Sequence, residues 1–575
     1  MEIGTESAAG RRGALGVTYE HPRAFWLGAL LTVAGTVLML PKYIGARQDH
    51  YRLAGSAVST DMVAGMVLMV VGMVMVTYGV FPKASRFAQG NVSRIRVTAL
   101  DDAPITGAHI GLILVMAIAV TIDVMKPTTL AFVAPGAAKE YGLRSALNPH
   151  AAGWPIGLYP LCGITGTVLG SFIWGWLGDR IGRRASILIA AVTFIATSTC
   201  GGMTAYWMHL GTCFFMGFGV GGMLPIIFSL VSETMPRRHR GWIIVLIGGD
   251  VAGAYIIMSW LSSTIAAPDR FGWRMLWLVG IPISVVLVGI NRWMPESPRF
   301  LLQQGRDAEA MAVMQRYGAV VVNVDTSELD VEEHVHGKYL QLFGRPFTGL
   351  TVVIVMLALG IGMVQYGFQQ WIPSNLQKLG FDEVNASKIL RDSALIGFPL
   401  NFPIAFLYGF WSSKKTIIIM ASLSAAALLG FVVAGNGVAH NSLLLHVLLI
   451  VPIWGISSLT AVTAAYAAEV YPTRIRARGT GLAAASTKFG GVMILFAVVA
   501  AIAAPSISMT AFLGAAPLIA GIVLLMAFGV ETRKKNLEQI TAEELGEELP
   551  LAAAAAGGLH VPIEPLSRRA RAPKP

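Results

Sequence analysis

Charge sits in this chain where an apolar sequence should not hold it. Asp123 and Lys126 lie three residues apart inside the apolar stretch 107–134, and Asp250 lies about ten residues into the stretch 241–265. An ionised group at the centre of a bilayer costs roughly 2.5–3.5 kcal/mol on insertion scales, so such residues should face a cavity or a partner. A carboxyl stripped of water favours its protonated form, which suits a group that loads and releases a proton. Asp123 and Asp250 are therefore candidates for binding a coupling proton. Asp123 has a second reading, a local ion pair with Lys126 about one turn along the same helical face. Asp250 has no such near-sequence partner. A polar cluster follows in the second half of the chain: Gln365, Tyr366, Gln369, Gln370 and Trp371. Gln365 and Gln369, four residues apart, share a helix face. Amides beside an aromatic suit hydroxyls or a carboxylate on a small polar molecule; interhelical hydrogen bonding is the competing reading. Asn401 is a weaker contact candidate, and His446 and Trp454 read as packing residues.

The elements that must hold these groups are membrane spans. The 575 residues are 55% hydrophobic and 13% charged, against about a quarter charged in a soluble domain. The mean hydropathy is +0.64. A span needs about 20 apolar residues. Fourteen such stretches are predicted, at about 24–44, 61–81, 107–134, 155–178, 185–205, 208–232, 241–265, 273–293, 347–373, 386–411, 416–434, 442–468, 479–503 and 508–530. The net charge of +11 does not indicate nucleic acid, because Lys and Arg sit mainly in short loops between apolar segments. Arg180, Arg183 and Arg184, then Arg237, Arg238 and Arg240, then Lys414 and Lys415, then Arg474, Arg476 and Arg478 all fall on one side. That side, with both termini, is expected to be cytoplasmic in a cell (plasma or inner) membrane. A basic loop with Lys83, Arg86, Arg94 and Arg96 follows the second span, and the Ala-rich, basic tail is expected to be disordered. Cys162, Cys200 and Cys213 have no metal-ligand spacing, so neither a disulfide framework nor a metal site is expected. No cleaved signal peptide is expected either.

The chain also repeats itself. Glu233, Pro236 and Arg240 recur as Glu469, Pro472 and Arg476, each 236 residues later. Glu296 recurs as Glu531, 235 later, and Gly175 as Gly409, 234 later. Two like six-helix halves follow, a plan that places a substrate site at the midplane between them. The expected organisation is a two-helix hairpin with its basic loop over 1–100, a first bundle over 101–294, a central loop over 295–346, a second bundle over 347–535 and a tail over 536–575. Gly28 and Gly35, with Gly65, Gly72 and Gly79, recur every seven residues and would let the first two spans pack closely.

Gly175-Trp-Leu-Gly178-Asp179-Arg180-Ile-Gly182-Arg183-Arg184 resembles the signature loop of the major facilitator superfamily. Pro295-Glu296-Ser297-Pro298-Arg299, Glu469-Val-Tyr-Pro472 and Glu531-Thr-Arg533 are similar to its sugar-porter and organic-acid-porter branches. The resemblance covers about residues 105–540 and implies an all-α polytopic fold of two six-helix bundles, to which the N-terminal pair is extra. It implies that Asp179 latches the cytoplasmic side; physically, its charge suits a helix N-terminus in the other half. Glu233, Arg240, Glu296 and Arg299, with Glu469 and Arg476, would add ion pairs that break and re-form; the competing reading is that the arginines only anchor to headgroups. Ser413 replaces Asp179 in the second copy. Two further departures concern the first half. Aromatic-acid porters carry Asp-x-x-Asp where this chain has Asp123-Val-Met-Lys126, and Cys213 stands four residues before Gly217 where relatives carry Arg. Lys126 is the expected substitute cation.

The resulting expectation is a proton-coupled secondary transporter of a small polar metabolite, an organic acid or a sugar, working by alternating access. Its partners are the substrate, protons and the lipid bilayer. Export of amphipathic compounds and non-transporting nutrient sensing are the alternatives. No cofactor is implied, and no nucleotide loop, metal spacing or nucleophile–base pattern suggests an enzyme.

Overall fold

The computed structural model describes residues 19–81, 100, 103–319, 339–344, 347–471, 473–500 and 506–532. The loop carrying Lys83 to Arg96, most of the central loop and the tail lie outside these residues. Inside helices, the side chains of Gly175, Asp179 and Arg476 also lie outside them.

Among the described residues, fourteen long helices make up the fold. The first two are α1 (Pro22–Asp49) and α2 (Thr60–Val80). Six more form the first half: α3 (Gly107–Glu140), α4 (Leu158–Ile181), α5 (Arg183–Gly202), α6 (Tyr206–Thr234), α7 (Arg238–Ser263) and α8 (Met275–Trp293). The second half comprises α9 (Thr348–Lys378), α10 (Glu383–Trp411), α11 (Ser413–His440), α12 (Ser442–Val470), α13 (Thr473–Ala500) and α14 (Ile507–Phe528). Thirteen are long and apolar enough to cross a membrane; α4 contributes a shorter apolar run, Leu158–Trp174, within its 24 residues. The sequence itself marks several starts. Ser59, Ser412, Asn441 and Ser506 each accept a backbone N–H from the first turn of the helix that follows, which satisfies a donor the helix cannot.

Small residues set how closely the helices approach. In the first half, α4 and α6 meet through Gly163, Gly166 and Gly170 facing Gly217 and Gly221, backbone against backbone. The N-terminal hairpin is built the same way: Gly28 opposes Gly72, and Gly35 opposes Gly65. That hairpin then lies along α5. Met39, Met62 and Met69 pack with Met203 and Met208, and Thr199 donates to the sulfur of Met69 across the seam. At the end away from the basic loops, the Glu140 carboxylate accepts the amides of Leu53 and Ala54 at 2.7 and 3.0 Å, and Tyr43 donates to the Phe271 carbonyl at 2.8 Å. As a result the apolar window of α5 is wholly buried.

The halves meet through α3 with α9, α4 with α13, and α7 with both α10 and α12. Shifting by six helices turns the α4–α13 contact into α10–α7, as the internal repeat requires. The repeat is visible in detail at the basic end. Glu296 accepts the backbone N–H of Arg183 at 2.7 Å and of Arg184 at 3.4 Å, at the start of α5. Six helices later, Glu531 accepts the N–H of Ser413 at 3.0 Å, at the start of α11.

A candidate transport site between the two halves

Four helices lose their regularity where the halves face each other, α6 at Gly221–Gly222 and α7, α9 and α10 as follows. In α9, Pro373 has no N–H to return to the Gln369 carbonyl four residues back, so the preceding turn rearranges. A π-turn over Val364–Phe368 runs into a tight turn over Gln369–Trp371. In α10, Pro399 sits in a tight turn at Phe398–Leu400. In α7, the regular helix stops at Gly249 and resumes at Val251, leaving Asp250 at the break. Gly248 is in contact with Ala461 of α12, and Gly249 with Asn401 of α10. Such breaks free backbone and side-chain polar groups, and in a membrane these are tolerated only inside protein or along a cavity.

Asp123 lies near the middle of α3, fully buried, and among the described residues neither carboxylate oxygen has a hydrogen-bond partner. A buried charged group without a partner is costly, and in a native protein it marks a place that a ligand, water or proton fills. The expected local pair with Lys126 is not formed. The Lys126 ammonium instead donates to the Phe194 carbonyl at 3.1 Å and to the Ser198 hydroxyl, and it lies over the Phe194 ring. It therefore serves the packing of α3 on α5. A cation within electrostatic reach of Asp123 is Lys488 of α13, in the other half. Lys488 crosses the interface to donate to the Ser171 hydroxyl of α4 and the Gly221 carbonyl of α6. Tyr366 is also within electrostatic reach of Asp123. It packs on Gly491, one turn from Lys488.

Further buried donors have no hydrogen-bond partner among the described residues: Gln370 Nε2, Trp371 Nε1 and Asn375 Nδ2 on α9, and Trp454 Nε1 on α12. Gln369 is instead satisfied, donating to the Pro452 carbonyl at 2.9 Å, while Gln365 is half-buried. A π-turn over Val364–Phe368 contains Gln365, and Gln369 follows it. Asn401 donates to the Gly249 carbonyl at 2.8 Å and accepts from Ser458 at 2.7 Å, so it bridges the two halves beside Asp250. Asp250 accepts a hydrogen bond from Thr121 of α3. His446 is half-buried and hydrogen-bonds back to Ser442.

The halves touch at both ends. Away from the basic loops, Ser262 and Ser387 share a 3.0 Å hydrogen bond, and Gly157 lies against Val498, Val499 and Trp371. At the basic end, Gly241 lies against Glu469 and Tyr408. Several contacts of the charged residues expected to gate this end lie within one half. Arg183 reaches Glu233 at 3.4 Å, Arg240 donates to the Met235 carbonyl at 3.2 Å, and Glu469 accepts from Tyr408 and Thr532 at 2.8 and 2.7 Å. Arg180 and Arg299 are exposed, and Gly182 carries the turn into α5 with φ +95°. Burial pushes the Glu296 carboxyl above its ordinary range, against the opposing pull of the amides it caps.

Sequence reasoning did not name Lys488, Ser171 or Asn375, and it set Trp454 aside as packing. Lys488 left a usable signal: it is a lysine nine residues into the predicted span 479–503, the same signal that drew attention to Lys126.

A buried carboxylate, a lysine that crosses from the opposite half and several open donors thus lie on the helices of two six-helix bundles. Residues 110–456 match the Major Facilitator Superfamily, and the chain belongs to that family; it is a transporter and not an enzyme. It is 27% identical over 454 residues to the niacin transporter NiaP of Acinetobacter baylyi, covering 77% of this chain and 99% of that one. It is 28% identical over 412 residues to the inner membrane metabolite transport protein YgcS of Escherichia coli, covering 70% and 87%. In fold it resembles the proton:xylose symporter XylE bound to 6-bromo-6-deoxy-D-glucose, with a TM-score of 0.60 at 18% identity over 76% of this chain and 98% of that one. The two N-terminal helices precede the matched region.

Proposed function

We propose that this transporter moves a small polar metabolite, an organic acid or a sugar, in symport with protons across the plasma or inner membrane. The basic loops and both termini face the cytoplasm. Rocking of the first bundle, residues 101–294, against the second, residues 347–535, alternately opens a chamber between them to each side. The observation that carries the reading is Asp123: a buried carboxylate with both oxygens open, at the seam that the rocking would part. Protonation lets Asp123 persist uncharged in a sealed chamber, and exposure to water on one side lets it release the proton. Asp250, at the break in α7, is the second candidate. Gln365, Tyr366, Gln370, Trp371, Asn375 and Trp454 supply hydrogen bonds and aromatic surface to the substrate, and Lys488 favours a carboxylate on it. The substrates named for the similar proteins support both chemistries, since niacin is a pyridine carboxylic acid and xylose a neutral sugar.

Purified protein in proteoliposomes tests this directly. Labelled nicotinate or xylose should accumulate when the outside is acidified, and should also exchange in counterflow without a gradient. Asp123→Asn should retain counterflow and lose accumulation driven by the pH gradient. Accumulation by Asp123→Asn equal to that of the parent would overturn the coupling role. Movement of neither an acid nor a sugar would overturn the substrate assignment.

A further inference from the structure

Three titratable side chains that the transport cycle does not use meet at the far end of the first half. Cys200 ends α5, and His209 and Cys213 lie on α6. The two sulfurs are 3.9 Å apart, and Cys200 Sγ lies 3.0 Å from His209 Nδ1. Tyr159 of α4 closes the group, its hydroxyl 3.1 Å from the same Nδ1 and 3.7 Å from Cys200 Sγ. Both cysteines and His209 are buried.

The hydrogen-bond network decides which nitrogen of His209 carries the proton. Tyr159 and Cys200 each bring a donor to Nδ1, and a protonated Nδ1 would leave both without a nitrogen acceptor. On the other side, Nε2 lies 3.0 Å from the Tyr141 hydroxyl, which donates its own proton to the Met203 carbonyl at 2.9 Å. Tyr141 is held there by Arg274, which donates to its oxygen at 2.6 Å while pairing with Glu140 at 2.8 Å. Nε2 is therefore the protonated nitrogen, donating to Tyr141. Nδ1 is unprotonated and faces both the Tyr159 hydroxyl and the Cys200 thiol.

We propose that Cys200 and Cys213 form an oxidisable dithiol, a modification site for small membrane-permeant hydroperoxides, with His209 as the base. Only the thiolate attacks, so a base in contact and a second thiol within reach are what distinguish a reactive cysteine from a packed one. The sequence of bonds is closed. His209 Nδ1 takes the Cys200 proton, and the thiolate attacks one peroxide oxygen. The O–O bond breaks, and the leaving oxygen takes the proton from His209 and departs as water or an alcohol. Cys200 is then a sulfenic acid. Cys213 attacks its sulfur, the S–O bond breaks, and the hydroxide leaves as water with the Cys213 proton. Two thiols are oxidised to one disulfide, and one hydroperoxide is reduced.

Cys162 is the internal control. It is half-buried and so more accessible than either partner, and access alone would oxidise it first. The experiment treats the purified full-length protein in nanodiscs with hydrogen peroxide, then quenches, blocks free thiols under denaturing conditions and maps peptides without reduction. The expected result is a 200–213 cross-link that forms while Cys162 remains a free thiol, and that dithiothreitol reverses. Cys213→Ser should stop at a sulfenic acid on Cys200 that dimedone traps. His209→Asn, which keeps an acceptor oxygen near the Nδ1 position without the basicity, should slow cross-linking about a hundredfold, in the range ordinary for a positioned base. Oxidation of Cys162 ahead of the pair, a cross-link that involves Cys162, or three intact thiols under peroxide that consumes free glutathione would each overturn the proposal.

Discussion

At the scale of single residues, charge placement in this protein depends on what is packed against it. Lys126 and Lys488 are both lysines inside apolar spans, yet one fills a seam within its half and the other crosses to the opposite half. Either could be recognised from the sequence as an intramembrane charge, because such a residue must face something polar. Its partner could not, because the partner depends on which helices the fold brings together. Glu296 offers a cleaner test of a single group. Its folded value lies above the ordinary 4.5 because burial opposes the charge. A raised acid binds its proton more tightly in the folded state, so its contribution is complete below pH about 4.5 and is lost as pH rises through the raised value. Glu296→Gln keeps an acceptor for the amides of Arg183 and Arg184 but cannot ionise. The Tm of the parent relative to this variant should therefore fall as pH rises from 4 to 8. A constant difference across that range would show that Glu296 does not sense its burial.

At the scale of helices, the sequence was most informative where the cause is local. Starts marked by Ser or Asn, loops rich in arginine and seven-residue glycine spacing all depend on neighbours in the chain. The breaks in α7, α9 and α10 were harder to see. Pro373 and Pro399 were visible, but a proline alone does not say that the turns before it become a π-turn over Val364–Phe368 and a tight turn over Gln369–Trp371. The α4–α6 contact shows how exacting such settling is. A Cβ on Gly217 would stand 1.8 Å from the Gly163 carbonyl oxygen, a backbone atom that cannot rotate away. Gly217→Ala should therefore push the helices apart and lower stability by about 1–3 kcal/mol, the usual cost of overpacking. Gly211→Ala, six residues earlier where nothing lies within 4 Å, should leave the melting temperature unchanged or slightly raised, since alanine favours the helix. Thermal unfolding of both variants in one detergent compares them directly.

At the scale of the whole molecule, the two-half plan was legible from the 234–236-residue offsets. The contact of the halves at both ends was not, because a repeat fixes which helices correspond and not how far the halves have rocked. With contacts at both ends, one end can be separated by itself. Gly157 lies against Val498, Val499 and Trp371 from the other half. Gly157→Phe should wedge this end apart and hold the chamber open toward it. Spin-label distances across that end should lengthen and net transport should stop, while substrate still binds. Unaltered distances with normal transport would show that this contact is no part of the gate.

The hairpin ahead of the family region changes the solvent of one helix. With α1 and α2 laid along it, α5 meets side chains rather than acyl chains around its whole circumference, and it carries Ser186, Thr193, Thr197, Ser198, Thr199 and Cys200 without showing a hydroxyl or thiol to lipid. Substitutions on α5 should consequently follow the rules of a water-soluble interior, where fit outranks oiliness. A leucine there would disturb more than a serine, the reverse of what a helix at the rim of a bundle tolerates.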